Sequence, residues 1–298
     1  MNIGVLSGVL AGWLALGAAM AEEAPLQLAT LASEDQATPL TRTTPWDGLD
    51  PKDLELRSEA AFVVDLAGNV VYAKNAEESR PIASITKLMT AMVILDSGLP
   101  LDEPITITQA DRDLIKLTGS RLVEGATLPR GEVVRLALLA SENRAANALA
   151  RNYPGGHLAF VTAMNEKAQA LGMSQSRFLD PAGLAPDNVA SARDVATMIR
   201  AARDYPLIVE ATTTSAMTVY PFKDRGPLRF VNTNRLVNRA NWDIGLSKTG
   251  YINEAGRCLA MQAVIADRRL TIVLLDAFGK LTPFGDSNRL RQWIESSR

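Results

Sequence analysis

The 298-residue sequence predicts an α+β fold: one five-stranded antiparallel sheet flanked by helices, with a helical region inserted between its strands. Three observations predict it. Two strand-like runs lie early and three lie late. Helical periodicity dominates the stretch between them. The middle late run is apolar on both faces, which calls for helices on both sides of the sheet.

The elements follow in order. Residues 1–21 include the apolar, small-residue run "NIGVLSGVLAGWLALGAAMA", which closes on Ala19-Met20-Ala21 before Glu22 and Glu23. It reads as a cleavable export signal, although its start carries no Lys or Arg; a retained membrane anchor is the alternative, and after cleavage no stable anchor is expected. Residues 22–55 are rich in Pro, Thr, Asp and Glu without a period and read as a mobile segment. A single domain is expected over 56–298. It opens with "AAFVVD" (60–65), a turn at Ala67-Gly68-Asn69 and "VVYAK" (70–74), a β-hairpin pattern. From Ser84 to Asp96 the apolar positions Ile85, Leu88, Met89, Met92, Val93 and Leu95 suit a buried helix stopped by Gly98 and Pro100.

"GEVVRLALLA" (131–140) reads as an interior helix, followed by a second helix over about 144–151 that "YPGG" ends. Helical patterns return at 157–170 and 191–204. "WDIGLSKTG" (242–250), "RCLAMQAVIA" (257–266) and "LTIVLLDAF" (270–278) are the late strands, and an amphipathic helix over about 285–296 closes the chain.

Composition narrows the chemistry. With 47% hydrophobic and 21% charged residues the chain can bury a large core, and a net charge of −2 without a basic stripe gives no sign of a nucleic-acid partner. The single cysteine, Cys258, excludes an intrachain disulfide and a Cys-based zinc site. The single histidine, His157, excludes a His-rich metal site and reads as a surface residue at a helix start. No cluster asks for a metal or an organic cofactor. Cys258, inside a doubly apolar strand, reads as a small buried hydrophobe.

Three short motifs carry the chemistry. Ser84-x-x-Lys87 stands at a helix start, where spacing of three puts both side chains on one face and the first N–H groups lack internal partners. Alone, it is equally an N-capping serine and a solvated lysine. Ser141-Glu142-Asn143 follows the interior helix and alone is a polar turn. Lys248-Thr249-Gly250 lies on a strand expected at the sheet edge; Lys248 offers a cation to a carboxylate, and Gly250 lets a ligand backbone come close. In this order, on helix, loop and strand, the three form the motif set of β-lactamases and penicillin-binding proteins, with Glu142 in place of the usual Asp.

With "RPIASITKLMTAMVILD", "ASENRAA", "YPGG", "FLDPAGL", "NTNRLV" and "KTGYINEAG" added, residues 58 to 280 resemble the low-molecular-mass penicillin-binding proteins of the D-alanyl-D-alanine carboxypeptidase family. Tyr251, where the carboxypeptidases commonly carry His, resembles the family's endopeptidase type. The carboxypeptidases' trailing β-domain and C-terminal membrane-binding helix are not expected in a sequence that ends at Arg298.

The resemblance implies a β-lactamase/transpeptidase-like fold and an exported, periplasmic serine peptidase that needs no cofactor. Its substrates would be peptidoglycan stem peptides and cross-links, and β-lactams would inhibit it covalently. It implies Ser84 as nucleophile and Lys87 as base. Ser141 would relay a proton to the leaving amine, and Asn143 would hold Lys87 and the substrate amide. Lys248 and Thr249 would bind a carboxylate, with the N–H groups of Ser84 and Tyr251 as oxyanion hole. The repulsion of Lys248, partial burial and the helix N-terminus are expected to lower the pKa of Lys87. Terminal D-Ala removal is the alternative activity. A β-lactamase is disfavoured because no Glu-x-x-Leu-Asn segment lies between the second and third motifs, and a β-lactam sensor or wall-binding module because no motif member is lost.

Overall fold

The computed structural model describes residues 44–296, which fall in one compact unit. The expected export signal and most of the expected mobile segment lie outside the described residues. The sheet is built from β1 (Ser58–Asp65), β2 (Val70–Lys74), β3 (Asp243–Ile252), β4 (Gly256–Ile265) and β5 (Arg268–Ala277). Its order is β2-β1-β5-β4-β3, with every neighbouring pair antiparallel, so β3 is an edge strand. The distant N- and C-terminal segments meet at the β1–β5 pairing, where Ala60 faces Leu275 and Val63 faces Ile272.

Period-two alternation divides the sheet between two cores. Ala60, Phe62, Val64, Cys258, Ala260, Val273 and Leu275 face the helical region. Ala61, Val63, Leu259, Met261, Ala263, Ile272 and Leu274 face the opposite side, with Leu290, Trp293 and Ile294. Both faces being buried explains why β4 reads as a continuous apolar run.

The helices are α1 (Lys87–Asp96), α2 (Arg130–Leu139), α3 (Asn143–Arg151), α4 (Gly156–Ala170), α5 (Ala192–Ala202), α6 (Pro206–Thr213) and α7 (Thr282–Glu295). On the second face α7 is tied to β1 by buried Asp286, whose carboxylate accepts from the Ser58 N–H at 2.8 Å and the Ser58 hydroxyl at 2.6 Å.

Several features depart from the expectation. Order begins before residue 56: Trp46, Leu54 and Leu56 are buried in the second core, and Trp46 Nε1 donates to Asp65 at 2.8 Å. Three apolar residues at irregular spacing anchor this segment without leaving a periodic pattern. Ser84 lies not on the α-helix but on a 3-10 turn, Ala83–Thr86, that leads into α1. Helix α6 and the ribbon of Ala216–Val219 with Leu228–Val231 were not anticipated. His157 is exposed in the first turn of α4. Cys258 is buried, with its thiol pushed up to about 12 by burial.

Candidate active site

The site forms where β3 meets the helical region, and it is assembled from two halves. The first half centres on Lys87, the first residue of α1 and fully buried. Its Nζ lies 2.8 Å from Ser84 Oγ, 2.8 Å from Asn143 Oδ1 and 2.6 Å from the Ala182 carbonyl. The 3-10 turn accounts for the first contact, because three residues per turn nearly eclipse positions i and i+3. Asn143 opens α3 and so points back from a helix start. Ala182 sits in "DPAGL", a loop wound around the Asp180 carboxylate, which accepts from the N–H groups of Ala182 and Gly183 at 2.7 Å and of Ala185 at 2.8 Å. That winding aims the Ala182 carbonyl inward.

The second half centres on Lys248, 1% exposed on β3. Its Nζ donates to Ser141 Oγ and to the Thr249 carbonyl, each at 2.9 Å. Ser141 holds a left-handed backbone, φ +59°, a conformation disfavoured by about 1–2 kcal/mol without a glycine. The strained turn between α2 and α3 thereby presents Ser141 to one lysine and Asn143 to the other. Thr249 Oγ1 donates to Thr233 Oγ1 at 2.6 Å, a partner contributed by "NTNRLV".

Two glycines allow close packing on the serine turn, one from each half. A Cβ on Gly250 would stand 2.8 Å from the Ile82 carbonyl and 3.1 Å from the Ser84 nitrogen. The space expected for a ligand is therefore taken by the chain's own serine turn, and Gly250 is needed for packing β3 against it. On the other side Gly183, with φ +75°, would drive a Cβ into the Ala83 carbonyl. Of the remaining motif residues, Tyr251 is half exposed on the rim, its ring 3.5 Å from the Arg257 guanidinium and its hydroxyl donating to Asn253.

A cleft of about 350 Å³ runs along this rim, lined by Ser141, Thr233, Thr249, Gly250 and Tyr251, with Arg235, Arg257 and Lys280 as its charged residues. A larger hollow, about 520 Å³, lies against α7 and residues 48–55 and contains no lysine. Among the described residues no cluster of three or more His, Cys, Asp or Glu side chains could hold a metal ion.

Electrostatics treat the lysines differently. Burial is the largest influence on Lys87 and lowers its pKa to about 7, against the opposing pull of Asp180, Glu142 and Asp113. Burial also leads for Lys248, whose pKa falls well below the usual value with the charge of Lys87 adding to the fall. The balance of causes thus differs from the expectation: burial, expected beside the repulsion of Lys248, dominates at Lys87, and the mutual repulsion is felt at Lys248. Asp113, Thr118, Asp180 and Ala182 join the site without having been singled out in the sequence. Their signals, "DLIKLT" and "DPAGL", are Asx-turn patterns that mark loops in general.

A serine beside a buried, partly neutral lysine, on an antiparallel sheet with a helical insert, defines a serine acyl-transfer enzyme of the penicillin-binding class. A family model for D-alanyl-D-alanine carboxypeptidases, peptidase S11, matches residues 48–279, and the chain belongs to that family. The D-alanyl-D-alanine endopeptidase of Pseudomonas aeruginosa is 46% identical over 275 residues, covering 92% of this chain and 89% of that protein. The D-alanyl-D-alanine endopeptidase of Escherichia coli is also 46% identical, over 82% of this chain and 79% of that protein. Penicillin-binding protein D2 of Listeria monocytogenes, solved in its ampicillin-bound form, superimposes with a TM-score of 0.69 at 28% identity, covering 81% of this chain and 98% of that one.

Proposed function

We propose that this chain is an exported, periplasmic D-alanyl-D-alanine endopeptidase that opens peptide cross-links in peptidoglycan through an ester on Ser84, with residues 1–21 as its leader and 56–298 as its catalytic domain. The observation that carries the reading is the environment of Lys87 Nζ. A neutral amine has two N–H donors and one lone pair. Asn143 Oδ1 and the Ala182 carbonyl each accept one N–H, at 2.8 and 2.6 Å, which leaves the lone pair for the Ser84 hydroxyl at 2.8 Å. With a pKa of about 7, a large share of the lysine is neutral at physiological pH.

In this mechanism Ser84 Oγ attacks the carbonyl carbon of a D-Ala residue while its proton passes to Lys87 Nζ. The N–H groups of Ser84 and Tyr251 receive the developing oxyanion. The C–N bond then breaks as the proton taken up by Lys87 is relayed through Ser141, held by Lys248, to the departing amine, which leaves Lys87 neutral again. Water then attacks the ester carbonyl while its proton passes to Lys87; the ester C–O bond breaks and Lys87 returns that proton to Ser84 Oγ. Lys248 and Thr249 bind a substrate carboxylate. That carboxylate favours the charged form of Lys248, and the restored cation in turn favours neutral Lys87. β-Lactams enter the same path and form an ester that hydrolyses slowly.

Names of relatives support the endopeptidase reading at 46% identity, while carboxypeptidases stand at about 30%. Mass spectrometry of peptidoglycan digests tests it. Loss of cross-linked dimers with wild type, and no loss with Ser84→Ala, is expected. Pentapeptides trimmed to tetrapeptides with dimers left intact would replace it with the carboxypeptidase reading.

A further inference from the structure

We infer that Asp113 and Thr118 are positioning residues for the reaction: they fix which way the Asn143 amide faces and, through it, which way the Lys87 lone pair points. The inference rests on the Ser84–Lys87 reading above and adds residues that no motif contains.

Asp113 is buried in the loop that follows the 3-10 turn Gln109–Asp111. Its Oδ1 accepts from the N–H groups of Ile115 at 2.8 Å and Lys116 at 2.9 Å. Its Oδ2 accepts from the Thr118 N–H at 3.0 Å and the Thr118 hydroxyl at 2.7 Å. Burial opposes its charge, but these donors outweigh burial and hold the carboxyl below its usual range. An ionised carboxylate can only accept.

Polarity then propagates in one direction. The only hydroxyl proton of Thr118 is committed to Asp113, so Thr118 Oγ1 has only lone pairs to offer Asn143. The Asn143 amide must turn its NH2 group to Thr118, and Nδ2 donates there at 2.8 Å. Oδ1 is left facing Lys87 and accepts from Nζ at 2.8 Å. Were the amide reversed, its N–H would compete for the lone pair that Ser84 needs. An amide alone has no preference between its two orientations, and the threonine–aspartate pair supplies one.

The same loop bears on the charge state. The groups facing Lys87 are Lys248 from β3, Asp180 from the loop carrying Ala182, Glu142 at the start of α3, and Asp113. Asp113 therefore acts twice, as the end of the hydrogen-bond chain and as one of three carboxylates that favour the ammonium form.

The test measures second-order acylation by a fluorescent penicillin across pH, with melting temperature followed in parallel, on wild type, Thr118→Val, Thr118→Ser and Asp113→Asn. Loss of the hydroxyl in Thr118→Val is expected to slow acylation about tenfold, and Thr118→Ser, which keeps the hydroxyl, to stay within about twofold of wild type. Asparagine at 113 can donate to Thr118 and reverse the chain; acylation is expected to fall about tenfold or more, and the pH limb to move lower as one carboxylate is lost. Thr118→Val at the wild-type rate, or Thr118→Ser as slow as Thr118→Val, would overturn the inference. Should Asp113→Asn fail to fold, the two threonine variants decide alone. A wild-type protein that takes no label on Ser84 would instead remove the reading on which the inference rests.

Discussion

The helix-borne and strand-borne walls of the cleft each bury one lysine, in different company. Lys87 has three carboxylates in range, Asp180, Glu142 and Asp113, whereas among the described residues no carboxylate offsets the burial of Lys248. Burial alone would strip both of charge. Carboxylates around the first hold its pKa at about 7, where it can take and return a proton. Among the described residues the second has no such carboxylate, and under the proposed function a substrate carboxylate supplies its counter-ion. On that reading the contrast separates a base poised by the protein from a cation completed by the substrate.

The largest effect that tests this contrast comes from Lys87→Met. Acylation should fall by about a thousandfold or more, within the range attributed to general-base groups. Stability should move the opposite way. The folded pKa of Lys87 lies below its unfolded value, so between about 7 and about 10 the unfolded chain binds more protons, and the penalty for burying the lysine is largest at and below pH 7. The gain in melting temperature for Lys87→Met should thus be larger at pH 6 than at pH 9, which scanning calorimetry can read. An equal gain at both pH values would contradict a depressed pKa.

Gly250→Ala comes next. The added methyl group would press on the Ile82 carbonyl and the Ser84 nitrogen, with a cost of about 1–3 kcal/mol and displacement of the serine turn. Penicillin labelling should fall about tenfold to a hundredfold. Unchanged labelling and melting would show that the two walls are not in such close contact. Glu142→Gln should have a milder effect. Removing a carboxylate that favours the ammonium lowers the Lys87 pKa, so the acylation limb should shift to lower pH without a large change in plateau rate. A shift to higher pH would reverse the assigned sign.

Smallest is the effect of Lys116→Ala. Lys116 Nζ reaches Glu254 Oε1 at 2.5 Å and links the Asp113 loop to the β3–β4 turn. The pair is substantially exposed, so its loss should leave the melting temperature nearly unchanged and alter acylation about twofold at low salt, less at high salt. A tenfold loss would mean that the bridge holds the walls together.

Much of this architecture was legible in the sequence, for reasons that can be located. The sheet strands declare themselves because β1, β4 and β5 bury both faces, α2 because it is apolar nearly all round, and α5 because its apolar positions recur at helical spacing. Ser84, Lys87, Ser141, Asn143, Lys248 and Thr249 could be found because three short signatures hold them in fixed order. What escaped acts through backbone geometry. Asp113 and Asp180 gather N–H groups within irregular loops, and any surface Asx turn has the same local sequence. The Ser84 turn packs closely against Gly183 and Gly250, which lie far away in the chain. The burial of Trp46, Leu54 and Leu56 shows only when β1 and α7 are in place. The weight of burial in the Lys87 shift was also hidden, since a motif gives the lysine's neighbours but not how completely it is buried.

The most direct test of the buried base is the acylation rate constant of wild-type protein from pH 5.5 to 9, with the modified residue identified by mass spectrometry. The predicted result is a label on Ser84 and a rate that rises with loss of one proton, centred at about pH 7. A rate that does not change across this range, or a label on another residue, would contradict a Lys87 that works by giving up its charge.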